Sequence, residues 1–110
     1  TKLKAFLRQN AADEGKKNYQ QLGIADTNAI DWATVTGLTW GADGRLTAIK
    51  WDDKYLAGDL DLSDFDSLRE LRCQMNSLTS LLLTRDSALV HVDCYTNELT
   101  RMDITTNVNL

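Results

Sequence analysis

Apolar positions along this chain follow three successive spacings. Over residues 2–10, Leu3, Phe6 and Leu7 recur at helical intervals with Lys2, Lys4 and Arg8 opposite, which predicts a short amphipathic helix. Gly15 is a stop candidate, and Lys16 to Gln21 predicts a further helical turn closed by Gly23. From Asp31, Trp32, Val35, Leu38 and Trp40 stand in a Thr-rich frame that favours strands. Asp43-Gly44, between two apolar runs, predicts a hairpin turn. Beyond it the spacing locks into a period. Leu68, Leu71, Cys73, Asn76, Leu78, Leu81 and Leu83 return 21 residues later as Leu89, Val92, Cys94, Asn97, Leu99, Met102 and Ile104. Leu46, Ile49, Trp51, Leu56, Leu60 and Leu62 form an earlier, atypical copy. That copy has Lys54 in place of the Asn and one extra residue within Ala57-Gly58-Asp59. A fixed period of this size predicts turns of chain laid one upon another.

The residue types suit that geometry. Apolar side chains at the recurring slots point at a shared axis and meet their equivalents above and below. Asn76 and Asn97 sit where the backbone bends, and a buried amide there can satisfy groups that the bend leaves unpaired. Leu60-x-Leu62, Leu81-x-Leu83 and Met102-x-Ile104 alternate with period 2, which predicts a second extended segment per turn. With Leu71 and Cys73 inward, their neighbours point outward. Three outward columns follow: Ala48/Glu70/His91, Lys50/Arg72/Asp93 and Asp52/Gln74/Tyr95. Arg72 is expected to pair with Asp93, and Glu70 with His91. Leu82 faces outward between Asp61 and Asp103, mildly apolar in a polar place.

Composition narrows the field. A chain of 110 residues is one small domain, and 43% hydrophobic with 25% charged residues is ordinary for a folded soluble protein. The net charge of −4 and the lack of a basic patch argue against nucleic acid. No apolar run approaches the ~20 residues that a membrane helix needs. The chain opens on Thr1 without a visible leader, so a processed or trimmed N-terminus is expected, which leaves export open. Without proline, turns must be set by the six Gly and by Asn, Asp and Ser. The two cysteines hold the same inward slot of consecutive turns, a geometry poor for a disulfide, so both are expected as buried free thiols. They supply too few ligands for a metal, and no cofactor motif is present. His91 invites catalytic suspicion beside Asp93, Glu70 and Cys94. Cys94 should face the core while His91 faces solvent, which separates nucleophile from base, and no enzyme is expected. The three tryptophans could stack on sugar rings, but packing under the N-terminal segment is the weightier reading because Trp51 holds an inward slot.

The frame L-x-x-L-x-C-x-x-N-x-L, with Asp61-Leu62-Ser63 and Leu78-Thr79-Ser80-Leu81, resembles bacterial cell-surface leucine-rich-repeat proteins. Asp31-Trp32, Gly37-Leu38-Thr39-Trp40 and Asp43-Gly44-Arg45-Leu46 resemble the N-terminal cap of extracellular repeat proteins. The fold expected is α+β: a short right-handed leucine-rich repeat solenoid with a parallel concave sheet, an extended or β convex side and a helical cap. Its expected division is a cap over 1–45 (helix plus hairpin) and about three repeat turns over 46–110, forming one domain. The resemblance implies an exported or surface protein that makes protein contacts, with no reaction. The candidate partner-binding residues are Glu70, Arg72, Gln74, His91, Asp93 and Tyr95 on the concave face. A structural spacer or self-assembling segment, or a glycan-binding module, are the alternatives. Leu110 would open another repeat, and nothing after Ile104 resembles a polar terminal cap. The chain is therefore expected to continue or to pair with a second copy through this end.

Overall fold

The computed structural model describes residues 2–86 and 88–103. Helix α1 (Lys2–Leu7) buries Leu3, Phe6 and Leu7, the face that the spacing predicts. Helix α2 (Asn18–Gln21) follows, and Gly23, at φ 77°, ends that segment. The strand frame expected from Trp32 is only partly realised. Trp32–Thr34 is a 3-10 turn, because the Asp31 side chain accepts from the Ala33 amide at 3.3 Å and caps it. Extended backbone resumes as β1 (Leu38–Trp40), antiparallel to β2 (Leu46–Lys50). The hairpin forms at Asp43-Gly44, with Gly44 at φ 80° and the Arg45 amide donating to Asp43 Oδ1 at 3.1 Å.

The periodic region supplies β3 (Ala57–Asp61), β4 (Glu70–Arg72), β5 (Ser77–Leu82), β6 (His91–Asp93) and β7 (Arg101–Asp103). They sort into two sheets, ordered β1-β2-β4-β6 and β3-β5-β7. Within each sheet the parallel pairs keep the sequence register: Ala48↔Glu70↔His91, Lys50↔Arg72↔Asp93 and Asp61↔Leu82↔Asp103. Leu46, Ile49, Trp51, Leu60, Leu62, Leu68, Leu71, Cys73, Leu78, Leu81, Leu83 and Leu89 are buried between the sheets.

The architecture is nevertheless not the expected leucine-rich repeat solenoid. Among the described residues it is a small α+β globule with two sheets, one mixed and one parallel, and few helices. Its dimensions of 39 × 33 × 20 Å and radius of gyration of 13.1 Å match the ~13 Å of an ordinary domain of this length. Two features overturn the picture of an elongated stack. The first sheet opens on an antiparallel strand, β1. The N-terminal segment, which closes the β3 edge, also packs into the common core instead of lengthening a stack. Phe6 stacks on Trp51, with ring centroids 5.8 Å apart and planes 12° from parallel. Leu3, Phe6, Leu7 and Leu22 join the same apolar cluster as the strands. The described residues of the segments before and after Leu46 thus share one core.

Side-chain amides complete the join. Gln9 donates to the Asp59 carbonyl at 2.7 Å and accepts from the Asp59 amide at 2.8 Å. Asn18, fully buried, does the same at Ala57, with bonds of 2.8 and 3.0 Å, and donates to the Phe6 carbonyl at 2.9 Å. These amides serve the open edge of β3 as a neighbouring strand would. Among the described residues no helix is long and apolar enough to cross a membrane. Ile104 and Leu110, on which the expected open end turns, lie outside the described residues.

Candidate functional site

The first candidate site is the outer face of the mixed sheet. Leu71 and Cys73 are buried, so alternation turns Glu70 and Arg72 outward. The register sets Glu70 beside His91 and Arg72 beside Asp93. Gln74 and Tyr95 follow just past the ends of β4 and β6, and the Met75 amide donates to the Tyr95 carbonyl at 3.0 Å. All six sequence-predicted residues therefore stand on two adjacent chain segments. Tyr95 is 59% exposed, and Met75 beside it is 47% exposed.

The charges pair differently from expectation. Arg72 Nε lies 2.7 Å from Glu70 Oε2, within one strand rather than across to Asp93. This contact is an ion pair whose angles fall short of a hydrogen bond, so Glu70 Oε2 keeps acceptor capacity. His91 Nε2 lies 2.9 Å from Asp93 Oδ2, again within its own strand. Residues two apart share a face of a strand, and these side chains reach along it as readily as across.

Two buried amides hold the bends beneath this face. Asn76 accepts from the Lys54 and Leu56 amides at 2.9 and 3.1 Å, and donates to the Trp51 and Cys73 carbonyls at 2.7 and 3.0 Å. Asn97 accepts from the Leu78 amide at 3.0 Å and donates to the Cys73 and Cys94 carbonyls at 2.9 and 3.1 Å. Met75 and Thr96, each just before one of these Asn, take left-handed backbone at φ 60° and 53°. That turn aims the Met75 side chain outward, and an isolated methionine in the sequence gave no sign of it.

The thiols are both free, Cys73 fully buried and Cys94 half-buried. Burial, with smaller contributions from Cys94 and Asp93, pushes the Cys73 thiol up to about 12. Burial and Asp93 raise Cys94 as well. Neither therefore offers a thiolate at neutral pH. Among the described residues no group of three His, Cys, Asp or Glu could hold a metal ion.

A second site lies where the hairpin turn, α1 and the segment before β4 converge. It is a recess of about 370 Å³ walled by Leu3, Trp32, Trp40, Leu46 and Phe65. Arg45, Asp64, Asp66 and Ser67 form its polar rim. Only one of the three tryptophans is core: Trp51 is fully buried and donates to the Thr36 carbonyl at 2.8 Å. Trp32 and Trp40 are half-buried, and Trp40 Nε1 donates to the Trp32 carbonyl at 3.2 Å. The Phe65 amide donates to Asp86 Oδ1 at 2.8 Å. On the rim, Arg45 Nη1 reaches both Asp66 oxygens, at 3.2 and 3.4 Å. Hydrogen bonds from the Arg85 guanidinium hold the Asp64 carboxyl down at about 2. Sequence reasoning weighed the tryptophans but not Arg45, Phe65, Asp66 or Ser67. The one available signal was the 22-residue offset that sets Ser67 level with Arg45, as it sets Leu68 level with Leu46.

Compared with known proteins, the chain matches no protein-family model, no curated protein and no solved structure.

Proposed function

We propose that this chain is a protein-interaction module that binds through Glu70, Arg72, Gln74, His91, Asp93 and Tyr95. The observation that carries this reading is Tyr95, 59% exposed beside Met75 at the end of a rigid face of opposed charges. Tyrosine and arginine dominate binding hot spots, because each combines apolar area with a directional polar end. The in-strand contacts Arg72–Glu70 and His91–Asp93 hold these side chains in place before a partner arrives, so less side-chain freedom is lost on binding. Among the described residues Gln74 Oε1 is screened from solvent without a hydrogen bond, so it would meet a partner's donor only after its amide turns outward. Work outside the cytoplasm, at a cell surface, belongs to the same reading and rests on the resemblance of the repeated frame. The test compares partners captured by the native chain with those captured by Arg72→Ala and Tyr95→Ala, both exposed positions whose loss should leave the unfolding midpoint in place. Loss of a reproducible partner in both variants supports a binding face. An unchanged set of partners in both would leave the face a solvated surface and the chain a structural spacer.

A further inference from the structure

We propose that the recess walled by Trp32, Trp40 and Phe65 binds a neutral saccharide, independently of the sheet face. Large aromatic side chains are ordinarily buried or engaged. Here two indoles and a phenyl ring are left half-buried around one concavity. They are also fixed in place. Trp40 is pinned to the Trp32 carbonyl, Trp32 sits on a turn capped by Asp31, and Phe65 hangs from a backbone amide held by Asp86. A volume of about 370 Å³ lies near the lower end of the roughly 300–1,000 Å³ usual for small-molecule sites, room for a ligand of one or two rings.

The rim selects among ligands. Arg45 lies between Asp66 and Asp43, and Asp64 between Arg85 and Lys2, so every charge on the rim already faces an opposite one and none stands alone to favour an anion or a cation. Polar capacity remains. Asp66 has free lone pairs and Arg45 free N–H groups beyond their mutual contact. Among the described residues neither Trp32 Nε1 nor Ser67 Oγ makes a hydrogen bond. A neutral sugar ring matches both halves. Its C–H face lies against the electron-rich face of an indole, while its hydroxyls, each donor and acceptor, meet the rim. An inserted apolar side chain of a protein would fill the walls but desolvate Arg45, Asp66 and Ser67 without replacing their bonds, which costs affinity.

The test follows indole N–H resonances while the chain is titrated with cellotriose, maltotriose and chitotriose. Movement of the Trp32 and Trp40 signals with at least one of them, with the Trp51 signal unmoved, supports the site. Trp32→Ala keeps the backbone carbonyl that holds Trp40, and loss of one stacking surface should weaken binding about tenfold. Asp66→Ala removes an exposed rim carboxylate without touching the core and should weaken it similarly. The proposal is overturned if none of the three sugars moves Trp32 or Trp40, or if binding survives both substitutions unchanged. It is equally overturned if N-acetylphenylalaninamide, a probe for an apolar side chain, occupies the recess while the sugars do not.

Discussion

Asp86 is a carboxylic acid with no solvent exposure, seated behind Phe65. Burial raises it to about 7, against the partial opposition of the Phe65 hydrogen bond. The folded chain therefore binds a proton there that the unfolded chain releases above 3.8. The stability that follows is fully present below 3.8 and is lost as pH rises through about 7. Urea unfolding across this window should show stability falling with pH, by something on the order of 2–4 kcal/mol. Asp86→Asn keeps an oxygen for the Phe65 amide and should flatten that slope. A slope that persists in the variant would place the titrating group elsewhere. Asp64 has the opposite sign: Arg85 depresses it, so its contribution is present above 3.8 and is lost as pH falls toward about 2. Nothing local in Thr84-Arg85-Asp86 suggests burial, since an aspartate after an arginine in a turn reads as solvated. Its position became visible only once this loop lay beside the one carrying Phe65.

At the level of single elements, the bends are set by Asn76 and Asn97, and these were legible because two identical residues recur at one interval. Asn76 is 8% exposed and serves two amides and two carbonyls at 3.1 Å or closer. Removing it strands buried backbone groups, so Asn76→Ala should cost about 2–4 kcal/mol. Asn97, half-buried, should cost less, and denaturant midpoints of the two variants give the comparison. The β1–β2 pair has its own tight point. A Cβ on Gly37, at φ 80°, would lie 2.3 Å from the Lys50 carbonyl oxygen and 2.7 Å from Trp51 Cδ1. Gly23, at φ 77°, has nothing within 4 Å. Gly23→Ala should therefore cost about 1–2 kcal/mol for backbone conformation alone, and Gly37→Ala distinctly more, by thermal unfolding. Equal costs would mean that the strand pair yields at no expense. The sequence could not rank these two glycines, because the obstruction at Gly37 belongs to residues 13 and 14 positions away.

For the molecule as a whole, the contact between Phe6 and Trp51 decides cooperativity. It ties the first helix to the first copy of the periodic frame and makes one core of two segments that differ in pattern. Phe6 is 1% exposed, so Phe6→Ala should cost about 3–5 kcal/mol by lost burial and a cavity. Native-state hydrogen exchange should then report loss of protection in β3 and β5 together with α1. Protection lost in α1 alone would mean that the N-terminal segment is a separable cap. The same merging accounts for the failure of the elongated picture. A periodic sequence predicts growth in one direction, but helix, antiparallel strand and amides at the β3 edge all close on the beginning of that period.

Spacing alone was enough to locate the slots that bury Leu60, Leu71 and Leu81, the outward columns on β4 and β6, and the bends at Asn76 and Asn97. Those features depend on residues near one another in sequence and on a repeat that lines like up with like. Three things waited on the folded chain: the closing of both sheets by the first 40 residues, the pairing of charges along rather than across strands, and the recess between hairpin, helix and the Asp64–Ser67 segment. Each of these arises where distant stretches meet, and the free energy of such meetings depends on shape and desolvation that no local pattern encodes.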